Sequence, residues 1–241
     1  DRIAMSSFSI AGPINIEDVR KAPDSPGLYV WYARFRVGRA DWHENFAGDT
    51  ATAKSNLFNA LGSHSLKFAK QGIAVKAVAN FSTQWSGLLQ DEATSRWKDG
   101  FQTGQTRDSG QTLDGVCSEN ATRQALVHLL DGSFPIFNAP LYIGLAVEQS
   151  LKDRLTQHST SFLRMWHRSA QTRGDADADG VPTNFAERAF RSGFCPDDLF
   201  CYAITLERDS DDQLSADQAQ DVIIAAEWVL NRWAIPILGR Q

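Results

Sequence analysis

The chain has 241 residues, of which 42% are hydrophobic and 22% charged, a globular composition that excludes disordered, collagen-like and coiled-coil chains. Three cysteines without CxxC spacing, Cys117, Cys195 and Cys201, exclude a disulfide framework and a zinc site and read as reduced thiols. The formal net charge of −5 hides a segregation: residues 145–174 hold five bases against two acids, and residues 175–221 three bases against twelve acids. No apolar run approaches the roughly 20 residues of a membrane span, and no basic-then-apolar leader opens the chain. A cytoplasmic protein without a membrane partner is therefore expected.

Ile14 to Arg20 leads into a turn cluster from Ala22 to Pro26, and the aromatic and β-branched run Gly27-Leu28-Tyr29-Val30-Trp31-Tyr32 predicts a buried strand. Leu57, Ala60, Leu61 and Phe68 give helical spacing from about Ala51 to Lys70, and Ile73 to Phe81 alternates as a half-buried strand does. Asp99 to Asp114 is rich in Gly, Thr, Gln and Ser without periodicity and reads as a mobile loop. Ser118 to Leu130 predicts a helix that packs through Ala121, Ala125, Val127 and Leu129. Pro135 to Pro140 is an extended connector, since proline disfavours helix before it. A short buried strand at Leu141 to Leu145 precedes a helix from about Gln149, with Leu151 and Leu155 on one face. Leu199 to Leu206 is the third strand. After an acidic turn from Glu207 to Gln213, a last helix starts at Ser215, where Ser215 and Gln218 form a capping box, and Pro236 closes it.

Chemistry concentrates on four of these elements. Two strands place a tyrosine beside a glycine, as Gly27-Leu28-Tyr29 and Tyr142-Ile143-Gly144, and Arg154 and His158 lie four apart on one helical face. In the last helix Glu227 is the single ionisable group between Asp221 and Arg232. A carboxylate in so apolar a stretch calls for a cation or a metal as partner.

These motifs resemble the GIY-YIG endonucleases. Gly27-Leu28-Tyr29 stands for the first motif, with Leu in place of Ile, and Tyr142-Ile143-Gly144 is the second verbatim. Arg154 resembles the family's helix arginine, with His158 one turn later as in the restriction-enzyme branch. Glu227, Leu230 and Pro236 resemble its metal-binding helix. The resemblance covers residues 14–32, 139–165 and 199–239. Two of its departures from the family matter: Trp31 to Leu141, 111 residues, replace a short loop, and Gly239 stands where the family has an asparagine.

The resemblance implies an α+β fold: a small mixed three-stranded sheet flanked by helices, formed by residues 1–32 and 139–241. Residues 33–138 would be a large α/β insertion between the first two core strands. It implies a metal-dependent endonuclease that hydrolyses DNA, of restriction or phage-defence type, with double-stranded DNA as partner. Tyr29 is then expected near the attacking water as base, with Tyr142 on the same site. A phenol with a pKa near 10 is a poor base, and His158, Arg154 and the metal are expected to lower it. Arg154 would clamp the non-bridging oxygens, and Glu227 would hold Mg²⁺ or Mn²⁺ beside the departing 3′ oxygen.

Nucleic-acid contacts are expected from Arg34, Arg36 and Arg39 at the start of the insertion and from Arg164 and Arg168 on the arginine helix, with Trp85, Trp97 and Lys98 further along. The alternative for the insertion is a structural cap or a homodimer contact. Arg154 has a plainer reading as the ion-pair partner of Glu227. Asp175-Ala176-Asp177-Ala178-Asp179-Gly180 imitates the opening of an EF-hand loop, but its twelfth position is Ala186, so a solvated acidic loop is expected. Two rival functions remain: a catalytically silent nucleic-acid-binding module of the same fold, and an RNase or toxin effector.

Overall fold

The computed structural model of the chain describes residues 8–69, 74–78, 84–88, 109–133, 138–171, 182–206, 215–234 and 236–239. The chain forms two compact units, Asp1–Arg34 with Pro135–Gln241, and Phe35–Phe134. The fold is α+β. The first unit is built on a four-stranded sheet of β1 (Phe8–Asn15), β2 (Gly27–Ala33), β5 (Tyr142–Ala146) and β6 (Leu199–Leu206), in the order β1-β6-β2-β5. Every ladder is antiparallel.

This corrects the expected mixed three-stranded sheet on two counts. Strands β5 and β6 do run in the same direction, but β2 lies between them and pairs antiparallel with both, so no parallel ladder forms. The fourth strand, β1, pairs with β6 in two segments, with the register broken between Ala11 and Ile14. Gly12 sits in that break at φ +144°, and a side chain there would come within 2.7 Å of the Tyr202 ring.

The central strand β2 buries six of its seven residues, which is why it reads as a continuous apolar run. Tyr29, Trp31 and Ala33 share one face and Leu28, Val30 and Tyr32 the other. Gly27 is fixed by crowding, since a Cβ there would collide with the Ile204 carbonyl and lie 2.8 Å from Leu151 Cδ1.

Helix α6 (Leu151–Gln171) packs on β2 and β5 through the stripe Leu151, Leu155, His158 and Phe162, all buried. Its start is held by the Leu151 and Lys152 amides, which donate to the carbonyls of Ser25 and Pro23 at 2.9 and 3.1 Å. Ser159 Oγ ties it to a 3₁₀ turn (Ile16–Lys21) by donating to the Ile16 carbonyl at 2.6 Å. Helix α7 (Phe185–Arg191), not foreseen from the sequence, packs on α6. Helix α8 (Ala216–Ala234) packs on β5 and β2. Its capping box is present as expected: the Gln218 amide donates to Ser215 Oγ at 3.2 Å and the Ser215 amide to Gln218 Oε1 at 2.8 Å.

The second unit holds α1 (Arg39–Trp42), α2 (Glu44–Ala47), α3 (Thr50–Ala69), α4 (Ser109–Ser118) and α5 (Asn120–Ser133), with a hairpin of β3 (Ala74–Val78) and β4 (Gln84–Leu88). Phe35, Trp42, Leu57, Cys117 and Val127 form its core. Two expectations fail here. The loop assigned to Asp99–Asp114 turns helical at Ser109. On α5, Leu129 is 70% exposed whereas Arg123 is fully buried, donating to the carbonyls of Trp42 and Cys117 at 2.8 Å each. Those carbonyls replace the water that a buried guanidinium loses. Residues 99–108, the loop from Asp175 to Gly180, the turn from Glu207 to Gln213, Trp97 and Lys98 lie outside the described residues. Among the described residues no helix is long and apolar enough to cross a membrane.

Candidate active site

Tyr29 sits in the middle of β2, opposite Gly144 of β5 and Ala203 of β6. Small neighbours on both sides leave the space that the ring fills. A Cβ on Gly144 would lie 2.5 Å from Tyr29 Oη and 2.6 Å from Tyr142 Cε1, so the glycine of the second motif is what lets both phenols converge over β5. Their ring centroids are 6.0 Å apart.

Helix α6 brings the next two groups. His158 Nε2 is 2.8 Å from Tyr29 Oη, and its ring lies 5.5 Å from Tyr29 and 6.1 Å from Tyr142. Arg154, one turn earlier and half-buried, acts through its charge on both Tyr29 and His158. Four of the five expected catalytic residues thus come from three elements to one place.

Helix α7 supplies two groups that the sequence reading missed. Phe185 packs on Trp31, Tyr142 and His158 with centroids 5.2, 5.3 and 5.6 Å away. The Arg188 guanidinium stands 5.7 Å from the Tyr142 ring centroid, and its charge bears on His158. The signal for α7 was legible in hindsight. Asn184 caps the helix by accepting from the Glu187 amide at 3.0 Å, and the apolar pattern of Phe185, Ala186 and Ala189 follows at once, all three buried.

Burial governs the electrostatics. Tyr29 is fully buried and its phenol is pushed above the usual tyrosine range, first by desolvation and then by Tyr142, with the Arg154 charge pulling the other way. Of the neighbours expected to lower the Tyr29 pKa, Arg154 does so, but desolvation outweighs it and the phenol is raised in the metal-free protein. His158 is driven down to about 3 by burial first, then by Arg154 and Arg188. Its imidazole is neutral across the physiological range, so one ring nitrogen carries a hydrogen and the other a lone pair, and the tautomer sets which partner donates in the bond to Tyr29.

Glu227 lies on α8, which packs on the two strands that carry the tyrosines. It is half-buried, and Asn231 Nδ2 donates to its Oε1 at 2.7 Å and to its carbonyl at 3.0 Å. The helix is less enclosed than its apolar sequence suggests: Val222 and Trp228 are 46% and 56% exposed. The chain beyond α8 is pinned beside β5, the Leu238 amide donating to the Leu141 carbonyl at 2.6 Å. Gly239 turns back to donate to the Pro236 carbonyl at 3.0 Å. The side chain that orients the glutamate here is Asn231, one turn along the same helix.

A single half-buried carboxylate with one oxygen fixed by an amide suits Mg²⁺, which keeps most of its waters and takes substrate oxygens. Among the described residues no three His, Cys, Asp or Glu side chains form a closed metal cage. Of the arginines expected to meet nucleic acid, Arg164 and Arg168 are exposed one turn apart on α6. Arg34 is half-buried, donating to Asn15 Oδ1 at 2.9 Å with its guanidinium 4.8 Å from the Phe200 ring centroid. Arg36 and Arg39 are exposed on the second unit, Arg39 lying 5.8 Å from the Phe46 ring centroid. Comparison with protein-family models, with curated proteins and with solved structures finds no match.

Proposed function

We propose that the chain is a metal-dependent phosphodiester hydrolase of the GIY-YIG type that cuts double-stranded DNA, in restriction or phage defence. The observation that carries this reading is the convergence of Tyr29, Tyr142, Arg154 and His158, drawn from two strands and a helix, with the Tyr29–His158 hydrogen bond at its centre. Hydrolysis needs a base for water, a cation on the non-bridging oxygens and relief of charge on the leaving oxygen.

Each need has a group. A phenol bonded to an imidazole can relay a proton: as Tyr29 Oη takes a proton from the attacking water, its own proton passes to His158 Nε2. That nitrogen is a weak base in the free protein, and the negative charge of a bound phosphate would raise its basicity by offsetting the two arginines. The net change is one proton from water to imidazole, while the hydroxide oxygen bonds phosphorus and the 3′ oxygen departs with the electron pair. Arg154 offers the planar fork that matches two phosphate oxygens. Glu227, oriented by Asn231, would hold Mg²⁺ or Mn²⁺, which when bound stabilises the departing oxygen. Arg164 and Arg168 extend the positive surface along α6 for the DNA backbone.

One observation favours the catalytically silent module instead. Tyr29 is fully buried, so water reaches its oxygen only once a covering side chain moves aside. Incubation with supercoiled plasmid, single-stranded DNA and structured RNA, each with and without Mg²⁺, separates the readings. Magnesium-dependent nicking of the plasmid is expected. Binding without cleavage would favour the silent module, and cleavage of RNA alone the RNase.

A further inference from the structure

Helix α8 carries an exposed face away from Glu227. Asp221, Ala225, Trp228 and Arg232 follow one another at intervals of four, three and four residues, so they form a single stripe. All four are exposed, Trp228 to 56%, and Ile224 and Val222 beside them are 43% and 46% exposed. Single apolar residues on a surface need no explanation, but a row of them with a tryptophan at its middle marks a contact surface. Glu227 precedes Trp228 by about 100° of helical turn and is half-buried, so this face is separate from the candidate site.

The order of residues along the stripe says what covers it. Asp221 stands at one end and Arg232 at the other, with Ala225 four residues after the acid and Trp228 four residues before the base. Reversed, the stripe is its own complement: acid against base and small against large. A second α8 laid antiparallel about a two-fold axis sets Trp228 over the partner's Ala225 and Arg232 against the partner's Asp221. Each contact then occurs twice, as an isologous interface requires. The Arg232 guanidinium lies 3.3 Å from the Trp228 ring centroid, and its Nη1 donates to the Trp228 carbonyl at 3.1 Å, so ring and cation present one joint surface. An apolar middle anchored by tryptophan, with charges at its rim, is the composition of an interface. The acidic end argues against a nucleic acid on this face.

We propose that this face is a homodimer interface, on which a second copy of the chain docks antiparallel through Asp221, Ala225, Trp228 and Arg232. The contact lies on the first unit rather than on residues 33–138, and it does not depend on the hydrolase reading.

Sedimentation equilibrium of the full chain at rising concentration tests this, with thermal melting as the control for folding. Wild type is expected to pass from the 26.7 kDa monomer to twice that mass. Asp221→Arg and Arg232→Asp each set like charges together at both ends of the dimer, and each alone should weaken association at least about 10-fold. Trp228→Ala should weaken it by about as much. If that variant fails to fold, the charge reversals decide. An equimolar mixture of the Asp221→Arg and Arg232→Asp chains restores opposite charges at both ends. It should dimerise within about 3-fold of wild type, as should the chain carrying both substitutions. A wild type that stays monomeric up to about 1 mM overturns the proposal. So does a dimer indifferent to the single reversals, which would place the contact elsewhere. Loss of dimer in the single variants without rescue in the mixture overturns the antiparallel pairing. A monomeric wild type whose Trp228→Ala variant melts lower would show that the chain itself covers this face, and overturns the proposal too.

Discussion

His158→Gln should change how the protein responds to acid. In the folded chain His158 protonates only near pH 3, whereas in the unfolded chain it takes a proton near its ordinary 6.5. Between those two values the unfolded state binds one more proton than the native state, so native stability is fully present above the unfolded value and is lost as pH falls toward 3. The slope is about 1.4 kcal/mol per pH unit for one group. With only 6% of the residue exposed, solvent screening takes little from that figure. Glutamine still offers an oxygen to the Tyr29 hydroxyl but does not titrate, so it removes the slope. Urea unfolding of both proteins near pH 7 and near pH 5 isolates the effect, because every other titrating group cancels in the comparison. The stability advantage of wild type over His158→Gln should shrink by about 2 kcal/mol between the two conditions. Parallel pH profiles would refute the claim that His158 is held neutral by burial and by two arginines.

Gly144→Ala should cost about 1–3 kcal/mol and break the Tyr29–His158 bond, because a methyl group 2.5 Å from Tyr29 Oη forces both rings to move; thermal melting and a crystal structure of the variant check this. Arg154→Lys should slow single-turnover cleavage by on the order of 10²-fold with little change in affinity, while nearly normal turnover would make Arg154 only a charge partner. Glu227→Gln should abolish Mg²⁺-dependent cleavage and leave duplex binding intact or improved, and wild-type cleavage in that variant would place the metal elsewhere.

The elements that could be read in advance are those whose local chemistry agrees with their tertiary setting. Strand β2 announced itself because pairing on both edges buries nearly all of it, and the start of α8 because Ser215 and Gln218 satisfy each other's amides. Strand β1 was missed because its ladder with β6 is broken between Ala11 and Ile14, so no unbroken alternation marks it in the sequence. Sheet direction was misjudged because no residue of β5 or β6 records that β2 lies between them. On α5, periodicity alone could not distinguish a buried Arg123 from a buried Leu129, since partner carbonyls from other segments decide the matter. At the site the tyrosines, Arg154 and His158 carried visible motifs. Phe185 and Arg188 carried none, because α7 reaches the site through tertiary packing on α6, Trp31 and Tyr142 that no local pattern records.

The most direct test of the account is the Tyr29→Phe variant, assayed for single-turnover cleavage of supercoiled plasmid in Mg²⁺ and for duplex binding in EDTA. Phenylalanine keeps the ring beneath Tyr142 and removes only the oxygen bonded to His158. Wild type should nick the plasmid and Tyr29→Phe should do so at least about 10²-fold more slowly, while binding the duplex with unchanged affinity. Wild-type cleavage by Tyr29→Phe would contradict the account, for the Tyr29–His158 pair would then be packing and the base would lie elsewhere.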